Sequence, residues 1–318
     1  MTVISNCTSE ILDRAAQTLK DGHLVAFPTE TVYGLGADAT NSEAVARIYS
    51  VKGRPSDHPL IVHIASIQEM DKWAIDIPEY AIELAREYWP GPMTLVLKRS
   101  ELAKDFITGG QDTVGLRVPD HSIALKLLRK FSELGGSGVA APSANRFGAV
   151  SPTNSVAVQE ELGEYLSNQD LIIDGGGSQV GLESTIIDCT GLNPRVLRPG
   201  AITFEMIENL AGELANDVET AGIRVPGSLE SHYSPKAKLL LDAELKPGQG
   251  LIAMADFLTP QGVIRLTNPK TIEEYASSLY ESMRSADHLG IDCIVAIQPT
   301  GSGLARAIRD RLARASHH

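Results

Sequence analysis

Short apolar runs alternate with amphipathic stretches along most of this chain, and that alternation limits the fold more than any single motif. His23–Pro28, Leu60–Ile64, Thr94–Lys98, Thr113–Val118, Gly138–Ala141, Leu171–Ile173 and Thr185–Asp188 read as strands. Between them the helical period predicts helices over Ser42–Val51, Ile67–Trp73, Glu79–Tyr88, Ile123–Phe131 and Ser155–Leu166. Ahead of these, Ser9 can cap a helix whose Ile11, Leu12, Ala15, Ala16 and Leu19 share a face, with Gly22 ending it. Such interleaving predicts an α/β or α+β fold around one large twisted sheet. The pattern breaks between Ala211 and Pro235, where periodicity is weak and prolines intervene, as in a linker. Beyond it, strands at Lys238–Leu241, Leu251–Ala255, Val263–Leu266 and Cys293–Ile297 and helices over Ile272–Leu289 and Leu304–Ala315 predict a small α/β unit. That unit is near the lower size limit for a core of its own. A length of 318 residues suits this division into residues 1–211, a linker over 212–236, and 237–318.

Chemistry concentrates in FPTETVYGLGADATNSEAVARIYSVKGRPSDHPLIVHI, from Phe27 to Ile64. Hydroxyls (Thr29, Thr31, Tyr33), cations (Lys52, Arg54) and imidazoles (His58, His63) crowd one strand–turn–helix–loop–strand passage. Gly34, Gly36 and Gly53 would let backbone approach a ligand where a side chain would block it. Polar donors and positive charge beside a glycine-containing turn suit a small molecule bearing phosphate or carboxylate. A glycine turn followed by a solvated basic loop accounts for the same local pattern.

Other readings lack their motifs. The phosphate-loop pattern G-x-x-x-x-G-K-S/T is absent, and G-x-G-x-x-G fails twice, at Val180 and at Arg306, where the third glycine should stand. No nucleophile elbow, H-E-x-x-H or calcium loop occurs. Cys7, Cys189 and Cys293 are odd in number and far apart, which argues against a disulfide framework or zinc site and fits a reducing cytoplasm. The N-terminus shows no basic segment followed by an apolar block, and no run approaches a membrane span. With 40 acidic against 28 basic residues, a net charge of −12 weighs against a broad nucleic-acid platform, while Lys52, Arg54, Arg117 and Arg198 could still form a local anionic-ligand pocket.

PTETVYGLG, KGRPSDHPL and IVHI, followed in order by GPMTLVL, TVGLRVPDH, APSANRFGAVSPT, ESTIID and VLRPGAI, resemble the YrdC-like domain of threonylcarbamoyl-AMP synthases. HYSP at His232–Pro235 and GLARAIRDRLARA near the end resemble the two-domain branch of that family. The resemblance implies a mixed twisted sheet surrounded by helices, a concave cavity, and a small Rossmann-like C-terminal domain. It implies a nucleotidyltransferase joining ATP, L-threonine and bicarbonate into threonylcarbamoyl-AMP with release of pyrophosphate, for threonylcarbamoyladenosine formation in tRNA. On this likeness Thr31, His63, Arg117, Ala141 and Ser184 would line the threonine pocket, with the Arg117 guanidinium forking onto the carboxylate. Lys52, Arg54, His58, Thr113, Ser143, Asn145, Ser151, Arg198, His232 and Tyr233 would surround the nucleotide. No protein nucleophile is implied, and Mg²⁺ would be held mainly by the phosphates. The partner expected beyond the substrates is a downstream tRNA threonylcarbamoyl transferase complex. Residue chemistry alone leaves Arg117 open as a surface strand arginine, His63 as a satisfied core histidine, and Ser143 and Asn145 as loop caps. Two departures from the family pattern stand out: His58 where asparagine is usual, and Ser228 where the linker usually has methionine. An RNA-binding module and a related carbamoyl-transfer maturation enzyme are the alternatives. The chain's acidity, its 5% aromatic content and its lack of acylphosphatase-like or zinc-finger segments speak against them.

Overall fold

The computed structural model describes residues 3–215, 222–227 and 233–317, with side chains from Cys7 onward. Ten strands form the principal sheet: β1 (Val3–Asn6), β2 (Val25–Phe27), β3 (Gly34–Asp38), β4 (Ile61–His63), β5 (Met93–Lys98), β6 (Thr113–Arg117), β7 (Val139–Ala140), β8 (Leu171–Asp174), β9 (Thr185–Asp188) and β10 (Arg195–Arg198). Their spatial order is β1-β8-β2-β3-β7-β4-β6-β5-β9-β10. Pairing is mixed: β4 runs parallel to β6 and β5 to β9, whereas β3 is antiparallel to β2 and to β7.

Strand alternation divides the side chains between two faces. Val25 and Phe27 join one layer with Val139, Leu171 and Ile173, whereas Leu24 and Ala26 belong to the opposite one. On the first face, α1 (Ser9–Lys20) and α6 (Ser122–Glu133) lay down Leu12, Ala15, Ala16, Leu19, Leu127, Leu128 and Phe131. On the second, α2 (Ser42–Lys52) and α4 (Glu79–Tyr88) pack Val45, Ile48, Ala81, Leu84 and Ala85 over Leu35, Val62, Leu95 and Leu116; the short α3 (Met70–Trp73) adds Trp73. α5 (Asp105–Thr108), α7 (Ser155–Leu162) and α8 (Phe204–Ala211) complete this unit.

The predicted elements recur with some revisions, and β1, α5, β10 and α8 add to them. Thr8, not Ser9, caps α1, its hydroxyl accepting from the Ile11 amide at 3.3 Å. The stretch Ile67–Trp73 is a single 3₁₀ turn, Ile67–Glu69, leading into α3. α7 stops at Leu162 rather than Leu166. Gly34–Asp38, expected as a turn, is the strand β3. Its glycines serve packing: a Cβ on Gly36 would sit 2.8 Å from both Phe27 Cε1 and Val139 Cγ1.

The second sheet is wholly parallel, in the order β11-β14-β12-β13, from β11 (Lys238–Leu241), β12 (Gly250–Ile252), β13 (Ile264–Arg265) and β14 (Cys293–Ala296). Tyr275, Ala276, Leu279, Tyr280, Met283 and Ala286 of α9 (Ile272–His288) form one buried stripe. α10 (Leu304–Ser316) contributes Ile308, Leu312 and Ala315. This core continues into Val32, Val150 and Leu182 of the larger unit, so the two sheets share an apolar seam. The described part of the linker is docked: Val225 packs among Ile61, Val96 and Ile186, and Arg224 and Gln111 exchange hydrogen bonds at 2.6 and 3.0 Å.

Candidate active site

The turn that joins β2 to β3, the end of β4, the loop after β7 and the approach to β9 converge on one cleft. Its lining includes Thr29, Thr31, Val32, Gly34, Arg54, Ile61, His63, Arg117, Ala141, Pro142, Ser143, Glu183, Ser184 and Arg198, with Pro226, Gly227 and Tyr233 over it. The five residues expected at threonine are all here, as are Arg54, Ser143, Arg198 and Tyr233 from the nucleotide set. The register explains part of this, since His63 stands opposite Arg117 across β4 and β6.

Arg117 is buried and its Nη2 donates to Glu30 Oε1 at 2.6 Å, so it is no surface arginine. Glu30 Oε2 has no hydrogen-bond partner among the described residues. Beside it His63 is buried edge-on to Phe27, and its Nδ1 likewise has no partner there. Burial and the neighbouring Arg117 charge push the His63 imidazole down to about 3, which leaves it neutral near pH 7. A core histidine would have both nitrogens satisfied; this one keeps an unmet polar atom on the cleft wall. Hydroxyls of the lining are paired: Thr29 with Thr31 at 2.8 Å, and Ser184 with the buried Thr94 at 2.7 Å.

Arg198 spans Ser184 and the linker. Its Nε and Nη2 donate to the Ser184 carbonyl at 3.0 and 2.9 Å, and Nη1 donates to the Pro226 carbonyl at 3.0 Å. Arg54 donates through Nη2 to the Pro59 carbonyl at 2.9 Å, and its Nε lacks a partner among the described residues. Burial brings the Arg54 guanidinium down to about 10, still protonated at neutral pH. Three arginines against the carboxylates of Glu30 and Glu183 leave the cleft cationic within an acidic chain.

The remaining expected residues sit behind or beside the cleft. Lys52 is fully buried and donates to the Ser143 and Asn145 carbonyls, both at 2.5 Å, so it braces the Ser143 loop. Burial, then the nearby Arg54, drives its ammonium well below the usual lysine range. Asn145 closes the same loop, donating to the Arg146 and Ala149 carbonyls at 2.7 and 2.8 Å. The Ser151 hydroxyl donates to Glu183 at 2.6 Å. Thr113 lines a neighbouring apolar hollow under Val225. His58 lies edge-on to Phe147, the ring that Arg54 also approaches. His232 and Ser228 fall outside the described residues. Sequence reasoning missed Glu30 and Glu183 as site residues, although each lies within a motif that carries the resemblance, PTETVYGLG and ESTIID.

A mixed ten-stranded sheet with an arginine- and hydroxyl-lined cleft, bordered by the described part of the linker and joined to a small parallel sheet, defines a two-domain YrdC-like protein. Residues 17–200 match the family model described as "Telomere recombination", which groups Sua5, YciO and YrdC proteins. Residues 202–317 match the model described as "Threonylcarbamoyl-AMP synthase, C-terminal domain". The chain therefore belongs to the threonylcarbamoyl-AMP synthase family. It is 41% identical to the threonylcarbamoyl-AMP synthase of Pyrococcus abyssi, covering 99% of this chain and 98% of that one. The Bacillus subtilis threonylcarbamoyl-AMP synthase is 37% identical over 95% of this chain and 92% of its own. The crystal structure of P. abyssi Sua5 complexed with L-threonine superposes with a TM-score of 0.86 at 38% identity, covering 99% of this chain and 98% of that one.

Proposed function

We propose that this chain converts ATP, L-threonine and bicarbonate into threonylcarbamoyl-AMP and pyrophosphate. The observation that carries the reading is the convergence of Arg117, His63, Thr31 and Ser184 with Arg54 and Arg198 around one cleft. Threonine's amine attacks bicarbonate, giving a carbamate and water. A carbamate oxygen then attacks the α-phosphorus of ATP, and pyrophosphate leaves. Both reactants are anionic, so the protein's task is to hold them together against their repulsion. Arg117 receives the threonine carboxylate; Thr31, Ser184 and the neutral His63 ring face its hydroxyl and amine. A buried hydroxyl partner would select threonine over valine, whose methyl leaves that partner unpaired.

Arg54, Ser143 and Arg198 face the phosphates, with Lys52 and Asn145 fixing the loop that carries Ser143. Ser151, Thr113 and His58 complete the surroundings of the nucleotide, and Tyr233 closes over it. Mg²⁺ enters as part of the ATP substrate. The protein donor set does not suit a metal cage of its own, because Glu30 and Glu183 each face an arginine and no cluster of three His, Cys, Asp or Glu occurs among the described residues. The product is a mixed anhydride that a downstream tRNA threonylcarbamoyl transferase complex would consume in the cytoplasm. Among the described residues no helix is long and apolar enough to cross a membrane. Pyrophosphate release with ATP, bicarbonate and a panel of amino acids tests the reading. Threonine alone should give a strong signal; equal release with valine or serine would contradict it.

A further inference from the structure

One wall of the cleft is held from the other domain. Glu183, which precedes β9, is buried, and its Oε1 accepts from Ser151 at 2.6 Å. Its Oε2 accepts from the Tyr280 hydroxyl on α9 and from Arg311 Nε on α10, each at 2.8 Å. Arg311 has no exposed surface, and its Nη2 also donates to the Pro199 carbonyl at 3.0 Å, directly after Arg198. The Arg311 guanidinium lies 5.3 Å from the centre of the Tyr233 ring, which stacks on Tyr280 with centroids 5.7 Å apart. One guanidinium thus touches Glu183 and Pro199, the neighbours of Ser184 and Arg198, and Tyr233 of the linker.

A seam needed only for cohesion could be filled with apolar side chains, as Val32, Val150 and Leu182 fill the rest of it. A buried ion pair is no better for stability than a hydrophobic replacement, but it fixes geometry when every lone pair is met. We propose that Arg311 and Tyr280 are positioning residues of the adenylating cleft, through which the C-terminal domain completes the active site by fixing Glu183, Pro199 and Tyr233. The inference rests on the proposed function and adds to it a catalytic need for the second domain. It also gives GLARAIRDRLARA a task, since Arg311 is the arginine of that helix that reaches the cleft wall.

The groups facing Glu183 are Arg311 on α10, Tyr280 on α9, Arg198 on β10 and Tyr233, with Asp310 on the far side of Arg311. Burial pushes the Glu183 carboxyl up, and Arg311 followed by Arg198 overcomes this to hold it at about 2. Without Arg311 the burial cost is met by Arg198 and hydroxyls, so the carboxyl should take up a proton at higher pH. The full-length chain and its Tyr280→Phe, Arg311→Met and Arg311→Lys variants should be compared by pyrophosphate release across ATP, threonine and pH, alongside thermal melts. Leu279→Ala serves as control, because it loosens the same apolar core without touching Glu183. Tyr280→Phe and Arg311→Met should lower kcat/KM by about tenfold or more, as losses of groups that orient a site do. Arg311→Lys should recover part of that, and Arg311→Met should gain an acid-side fall in rate that the parent lacks. Leu279→Ala should melt at least as early yet keep the parent's kinetics below its melt. Parent-like kinetics in Tyr280→Phe and Arg311→Met, or losses that Leu279→Ala reproduces at an equal melting shift, would overturn the inference. A parent chain that releases no threonine-dependent pyrophosphate would instead overturn the functional reading, and this inference with it.

Discussion

Taking a guanidinium out of water is costly, and Arg117 recovers part of that cost from Glu30 at 2.6 Å before any substrate arrives. The pair leaves other Arg117 N–H groups for a carboxylate in the cleft, and it means that removing the arginine strands a buried carboxylate. Arg117→Ala is therefore expected to weaken threonine binding by about 2–4 kcal/mol, with a much smaller effect on ATP. Calorimetric titration with each ligand separately checks this, and equal losses would place Arg117 in the wrong part of the cleft. His63 gives a pH prediction. Its folded value is about 3 against 6.5 for an ordinary histidine. The unfolded chain therefore binds the extra proton first, and stability present above pH 6.5 is lost as the pH falls toward 3. At pH 5 the loss from this group is about 2 kcal/mol. Urea unfolding of the parent and of His63→Gln between pH 7 and 5 should show the parent losing that much more; parallel losses would mean that His63 is protonated in the folded chain.

Among the elements, those with a clean period were legible. α2, α4, α6, α9 and the strands at Met93–Lys98, Thr113–Arg117 and Thr185–Asp188 lie within a few residues of where the apolar pattern puts them. β3 was not, because Gly34 and Gly36 carry no side-chain pattern and glycine ordinarily weakens a strand. Here β3 runs against Phe27 and Val139, a contact that only the folded sheet reveals. Gly36→Ala forces a Cβ to 2.8 Å from each of those side chains and should cost about 1–3 kcal/mol by overpacking. A shift in the denaturation midpoint with an unchanged slope is the expected readout; unaltered stability would mean that Phe27 and Val139 yield freely. β10 escaped notice for a different reason: RVLR begins and ends with charges, and their partners are Asp188 on β9 for Arg195 and Ser184, just before β9, for Arg198. For the site, motif resemblance located the cleft residues, but only the structure separates Arg117 and His63 on the wall from Lys52 and Asn145 behind it. The acids stayed hidden because Glu30 and Glu183 owe their importance to arginines 87 and 128 residues away.

At the scale of the whole molecule, an acidic chain encloses a small cationic cleft between a large mixed sheet, the described part of the linker and a second domain. The net charge of −12 disfavours broad phosphate-backbone binding, and the buried arginines suit one small polyanion and one carboxylate. On the proposed function, two anions are joined there without a protein nucleophile, and the carbon joining them would come from bicarbonate. Incubating the chain with ATP, L-threonine and ¹³C-bicarbonate, then separating the nucleotides and weighing them by mass spectrometry, tests this directly. The account predicts a threonine-dependent adenylate carrying a single ¹³C, formed together with pyrophosphate. An unlabelled threonyl adenylate, or no adenylate at all, would contradict it.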